Sequence, residues 1–492
     1  MMRLQVLSFL FFLLIATAII NSCTKDKGKI GNGYPEEISK ILVNKCATPG
    51  CHTQASKNGA AGLALETWDQ LFEGDRNGAV CIPYSHEYST IFLFTNTYKD
   101  LGVSNLPTMP LNKPALSREE ISTLINWIDV GAPSSSGKIA FADNPNRKKL
   151  YVTNQGCDVV TVFDAATQLQ MRYIKVGAVS QIESPHMIKV SADGKYWYVV
   201  FSNSATIMQK FRTSDDSFVG NATLGLGSWN TLSLSNDSKY GFAVDWRADG
   251  RVAHINLNTM SLMSPNPIWS GSQLLPDAHG SAINKDGDTL YLTAQVGNFI
   301  MKVPVDDPGS VEKVSLNPPD LPASATKFDP HEIIFSPDNL YYYVSCQKSN
   351  EVRVMRVSDD ALEAVIPTGK YPLEITFSNN PATPYLFVTC EYDTTGGGAN
   401  RGSVTIINYK TNKVVKNLRT NMAEPHGVAV DDENGLVYVT NRNITGPSIP
   451  HHTSNCGGRN GFISFIDLNT LEVIKDKRVE VAVDPYSIAI RE

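Results

Sequence analysis

Cys46, Cys51 and His52 stand together in the stretch NKCATPGCHT. Two thiols and an imidazole at this spacing support three chemistries. A disulfide between the cysteines leaves the histidine without a role. A structural zinc takes four ligands, and no second Cys or His pair follows at zinc spacing. The third is covalent haem: both thiols add to the vinyl groups, and the next residue, histidine, reaches the iron. The usual spacing for that is Cys-x-x-Cys-His. Here four residues separate the cysteines, a less common variant.

The flanking sequence supplies elements able to position such a site. PEEISKILVNKC reads as a helix opened by Pro35, with Ile38, Ile41 and Leu42 on one face. Downstream, Met109 sits between prolines in an extended loop that can hold a thioether against iron and raise its potential. A second helix follows. Ser117 and Glu120 form its capping box, Ile121, Leu124, Ile125 and Ile128 its apolar face, and Gly131 and Pro133 its stop. Helix with motif, Met loop and closing helix with Trp127 resemble a class I cytochrome c domain over about residues 33 to 134. The resemblance implies thioether anchors at Cys46 and Cys51, His52 as proximal ligand and Met109 as distal ligand of haem c. AVCIPYSHEYSTIFLF resembles the middle loop of membrane-tethered bacterial cytochromes of this type. His86 in it is a competing distal ligand, and Cys81 has no assigned role.

After PSSSGK the chain becomes rich in β-branched and aromatic residues with turn signals between short runs. Units recur: RKKLYVTNQG…TVFDAA, NLYYYVSCQKSNEVRVMRVSDD, GLVYVTNRN…GFISFIDLN. Between them stands one further strand, as in PHMIKVSADGK, PHEIIFSPDN, PHGVAVDDENG and the terminal PYSIAIRE, making seven copies. Equivalent positions lie from 42 residues apart (His331 to Leu373) to 60 (His426 to Tyr486). About 40 to 45 residues per four-stranded blade is the propeller period. PYSIAIRE has no strands after it and is expected to complete the first blade, which begins near Leu150, although KIAFAD at 138–143 competes for that place. The repeats resemble YVTN-type β-propellers over about residues 137 to 492. The expected fold is a small all-α cytochrome c domain at 34–134, a linker at 135–146 and an all-β seven-bladed propeller at 147–492.

The inner-strand starts read His186, Trp229, His279, His331, Leu373, His426 and Tyr486 around the ring. Four of these are histidine, in a chain with 9. They are channel residues bonded to backbone, or by converging they bind a second metal such as copper or a cofactor, or they bind substrate without metal; Asp277, Asp329 and Glu424 are placed to orient them or to bind cations directly. A long loop on the same face carries His451, His452 and Cys456. Cys346 with Cys390, and Cys157 with Cys456, are candidate disulfides.

The N-terminus is a targeting segment. Arg3 precedes the apolar run LQVLSFLFFLLIATAII, and IINSC resembles the lipobox of bacterial lipoproteins. That resemblance implies a signal peptide at 1–22, lipidation of Cys23 and a polar tether at 23–33. The chain is then lipid-anchored in the cell envelope, periplasmic or outer-surface. A net charge of −6 argues against a nucleic-acid partner. Two function classes remain. One is a periplasmic oxidoreductase whose propeller carries a redox or metal site, similar to nitrite reductases joining a cytochrome c domain to a propeller. A histidine-lined propeller also resembles the copper-bearing domain of nitrous oxide reductase. The chain departs from both, with seven copies rather than eight blades and no cupredoxin sequence. The other class is a non-enzymatic electron carrier whose propeller docks a redox partner protein.

Overall fold

The computed structural model describes residues 31–491 apart from 204, 247–249, 265–267, 271–274, 325–327, 396–400, 446–447 and 453. The signal peptide, Cys23 and most of the tether lie outside the described residues. Among the described residues no helix is long and apolar enough to cross a membrane.

Among the described residues four α-helices lie ahead of the first strand: α1 (Glu36–Ile41), α2 (Trp68–Leu71), α3 (Thr90–Thr95) and α4 (Arg118–Asp129). Beyond α1 the helix widens into a π-turn over Leu42–Cys46, with the Ala47 N–H donating to the Leu42 carbonyl. Ser117 and Glu120 form the capping box of α4, and Thr67 and Gln70 form a second one on α2. Ile38, Leu42, Cys81, Phe92, Ile121, Leu124 and Ile128 share one buried core.

The rest is a seven-bladed β-propeller. Six sheets have four strands, and one gains a short extra strand, Ile268–Ser270. Numbering blades along the chain, the first contains Lys149–Asn154, Val159–Asp164 and Leu169–Lys175, with Pro485–Arg491 as its inner strand. Lys149 pairs with Arg491 and Leu150 with Ile490, so the chain's last strand closes the ring. Residues 138–143 form no strand; Phe141 sits in a turn and packs on Phe72. Apolar cores lie between neighbouring sheets. Trp197 of the second blade, stacked on Phe211 at 3.9 Å, fills the gap to Tyr151 of the first.

In six blades the residue before the inner strand has a left-handed φ: Ser184, Asp277, Asp329, Tyr371, Glu424 and Asp484. This turn swings the chain into the channel. Each inner strand is then bulged after its first residue, as at Pro330/Ile333. The register corrects one sequence assignment. Trp229 pairs with Asp245 as Pro185 pairs with Phe201 and Pro330 with Cys346. The residue equivalent to the histidines is therefore Asn230, not Trp229.

The helical unit rests on the outer strand of the first blade. Tyr88 stacks on Tyr173 at 4.1 Å, the Ala79 N–H donates to Gln170 (2.8 Å), Arg172 covers Tyr84 and Lys175 pairs with Glu87 (3.3 Å). Blades one and two are tied by a buried ion pair, Lys149 Nζ to Asp216 Oδ2 at 2.7 Å; Lys149 also donates to the Thr213 carbonyl, and Tyr151 donates to Asp216. Asp216→Ala should cost about 3–5 kcal/mol, because it strands a buried ammonium. Adding Lys149→Met should recover part of that loss in denaturant unfolding. Equal destabilisation by the single and double variants would show that the pair's charges do not matter.

Candidate functional site

The motif cysteines and His52 come together around a cavity of about 360 Å³. Cys46 ends the π-turn. The loop behind it is folded by Cys51 N–H to Thr48 carbonyl (2.9 Å) and His52 N–H to Cys46 carbonyl (3.2 Å), and Gly50 takes the left-handed φ of +81° that the turn requires. Met109 reaches the same cavity from its loop, held by its N–H on the Phe94 carbonyl (2.8 Å). Lys113 bonds Thr48 at 2.8 Å and fastens the Met loop to the motif loop. Leu63, Leu65, Val80, Ile91 and Phe94 make the walls apolar.

Both thiols are unpaired. Burial, with Cys51 nearby, pushes the Cys46 thiol up to about 11. His52 is half-buried, and burial lowers its pKa while the Leu63 backbone pulls the other way. No bond of hydrogen-bond length reaches its Nδ1, so that pull is weak and the imidazole is neutral. Two free thiols, a neutral imidazole with an orphaned buried nitrogen and a thioether around one apolar cavity fit a thioether-attached haem. They do not fit a disulfide. His86 does not line this cavity; its Nδ1 is bound to Asp129 at 2.8 Å and its ring lies on Phe92. Sequence reading missed that the cavity's remaining histidine is His451 of the propeller, set against Phe94 at 5.2 Å.

The inner-strand histidines form one ring at the channel mouth. His279 and His331 lie 4.2 Å apart between centroids, His331 and His426 6.1 Å, and Tyr486 stacks on His426 (3.4 Å) and contacts His186 (4.1 Å). Among the described residues no three His, Cys, Asp or Glu side chains are arranged as a metal-ligand set, so His186, His279, His331 and His426 converge without forming one. The Nδ1 atoms of His186, His331 and His426 are buried and unbonded, while that of His279 meets the His331 carbonyl at 3.2 Å. Burial keeps all four neutral. It lowers His279 to about 4 and the other three well below their ordinary value, helped at His186 by His279 and at His426 by Arg442. Asp277, Asp329 and Glu424 occupy the turns before the strands, and none hydrogen-bonds an imidazole; Glu424 instead accepts from the Thr445 N–H (3.0 Å). The next residue in two strands was also overlooked. Glu332 is buried and Glu374 half-buried on the inner strands; desolvation raises them to about 8 and 7, with Lys189 pulling both down. The runs PHEIIF and PLEITF carried that signal.

Cys157 and Cys456 form a disulfide joining the first and seventh blades. Cys346 and Cys390 do not. Cys346 packs between blades four and five and Cys390 between five and six, so a sheet separates the thiols.

No family model matches the chain, and no curated protein matches it. Solved structures do resemble it. A functionally unknown protein from Desulfotomaculum acetoxidans DSM 771 aligns with a TM-score of 0.52 at 13% identity, covering 70% of this chain and 98% of that one. Kuenenia stuttgartiensis hydrazine synthase aligns at 0.48 and 16% identity, covering 64% and 92%. Dihydro-haem d1 dehydrogenase NirN in complex with DHE aligns at 0.48 and 14%, covering 77% and 88%. The first supports the fold alone; the other two align too loosely to add to it.

The neutral histidines make stability depend on pH. Unfolded imidazoles take up protons below their usual 6.5 while the folded ones do not, so stability falls from pH 6.5 towards 4. Glu332 and Glu374 act oppositely, since they hold protons in the folded state that the unfolded chain has lost above about pH 4.5. His331→Gln should reduce the acid-side slope by up to about 1.4 kcal/mol per pH unit. Urea unfolding between pH 4.5 and 6.5 reads it, and an unchanged slope would mean that His331 is protonated in the fold.

Proposed function

We propose that the chain is an exported, membrane-tethered c-type haem protein for electron transfer. The cavity that gathers Cys46, Cys51, His52 and Met109 carries this reading. When bound, haem supplies reversible one-electron exchange at its iron. Cys46 and Cys51 would anchor it as thioethers, His52 would donate a nitrogen and Met109 a thioether sulfur. Leu63, Leu65 and Ile91 keep water away, which favours the less charged, reduced form. The helical unit is then a cytochrome c domain. Cys23 is the lipid anchor, and the compartment is the periplasm or the outer surface, where the Cys157–Cys456 disulfide persists. A redox partner protein exchanges the electron, and the propeller is the rigid body that docks it. A second reading, a metal such as copper at the histidine ring with oxidoreductase activity, is favoured by the three orphaned Nδ1 atoms.

Denatured, acid-extracted protein should retain one haem, and Cys46→Ala with Cys51→Ala should release it. Haem that washes out of the wild-type protein sinks the reading. Met109→Ala should remove the methionine-to-iron charge-transfer band at the red end of the ferric spectrum; a wild-type spectrum without that band would leave Met109 off the iron. For the second reading, protein loaded with copper should hold metal beyond the haem iron and lose it on His279→Ala with His331→Ala. Iron alone, indifferent to those changes, leaves the docking propeller.

A further inference from the structure

The haem reading leaves one chemical requirement unmet. The vinyl groups and the two carboxylates of haem occupy opposite edges of the ring. With the vinyl edge taken by Cys46 and Cys51, the carboxylates would face away from the motif and would need hydrogen-bond donors. Beyond the motif, the cavity's polar side chains are Asp75, Thr90, Thr95 and His451. The Thr95 hydroxyl donates to the Ile91 carbonyl at 2.6 Å and the Thr90 hydroxyl reaches the Val80 carbonyl at 3.5 Å. Asp75 already accepts from the Asn77 N–H at 2.7 Å. The His451 ring makes no hydrogen bond to any described residue; it meets the rings of Phe94 and His452, and its charge acts on the Asp75 carboxyl across the cavity.

We propose that His451, on the seventh blade of the propeller, is the hydrogen-bond donor for the carboxylate edge of the haem held by the helical unit. This rests on the haem reading above. The loop carrying His451 is built to hold it still. Its N–H and that of His452 both donate to the buried Glu480 carboxylate (2.5 and 3.3 Å), Asn460 braces the same carboxylate at 3.0 Å and the Cys157–Cys456 disulfide pins the loop to the first blade. Gln170 bonds the Glu480 carbonyl (2.7 Å) and accepts from Ala79 (2.8 Å), so the loop and the helical unit share one brace. An unneutralised carboxylate favours ferric iron, so a donor on it raises the potential.

The test uses full-length holoprotein. His451→Ala should keep its covalent haem and its methionine-to-iron band, shift the carboxylate bending mode in resonance Raman spectra and move the one-electron equilibrium about tenfold toward oxidised, about 59 mV in midpoint potential. His451→Gln retains a donor and should recover most of the shift, and His452→Ala should leave the potential in place. An unchanged potential and Raman mode in His451→Ala overturn the proposal. Loss of the methionine-to-iron band in that variant overturns it as well, since His451 would then act on the iron. Wild-type protein without covalent haem defeats the haem reading instead, a separate outcome read before any variant is made.

Discussion

Everything in this molecule hangs on one seam, the antiparallel pairing of Pro485–Arg491 with Lys149–Asn154. A sheet edge left open is a liability, and a ring of sheets has no free inner edge only when its two ends meet. Here the last strand of the chain becomes the innermost strand of the first blade. That pairing fixes the seventh blade beside the first, and the other cross-links gather there. The disulfide crosses the same seam, Gln170 reaches Glu480 across it, and the helical unit sits on the outer strand of the first blade next to the seventh blade's loop. The cavity with Cys46, His52 and Met109 owes its propeller wall to this alignment.

The channel shows how polar groups persist inside such a ring. Four imidazoles and two carboxyls, all on inner strands, lie where burial is hostile to charge. The imidazoles answer by staying unprotonated and the carboxyls by holding their protons more tightly. Lys189 is the cation that both carboxyls sense, and Arg442, which acts on His186 and His426, is paired with Glu391 and Asp484.

Much of this was legible along the chain because it is local or periodic. The Tyr-Val-Thr-Asn strands, the seven inner strands and the closing role of PYSIAIRE follow from repeated spacing, and the Ser117–Glu120 cap from a three-residue step. What could not be read depends on geometry between repeats. Blade three lacks the proline that marks the start of the inner strand in most of the others, so Trp229 took the place that register assigns to Asn230. Cys346 and Cys390 occupy matching positions yet face opposite sides of one blade. The motif histidine was visible beside its cysteines. His451, distant in sequence, became a neighbour of Phe94 only through the ring's closure.

That distance in sequence also sets an order in time. A chain leaves the ribosome from its N-terminus, and N-terminal units fold first. The helical unit with Cys46, Cys51 and Met109 precedes every blade in the chain. The loop with His451 emerges near the end, and the strand that locks it in place comes last. Until that loop is in place the cavity lacks the side that His451 supplies. Chain order thus doubles as an assembly schedule: helical unit first, propeller wall afterwards.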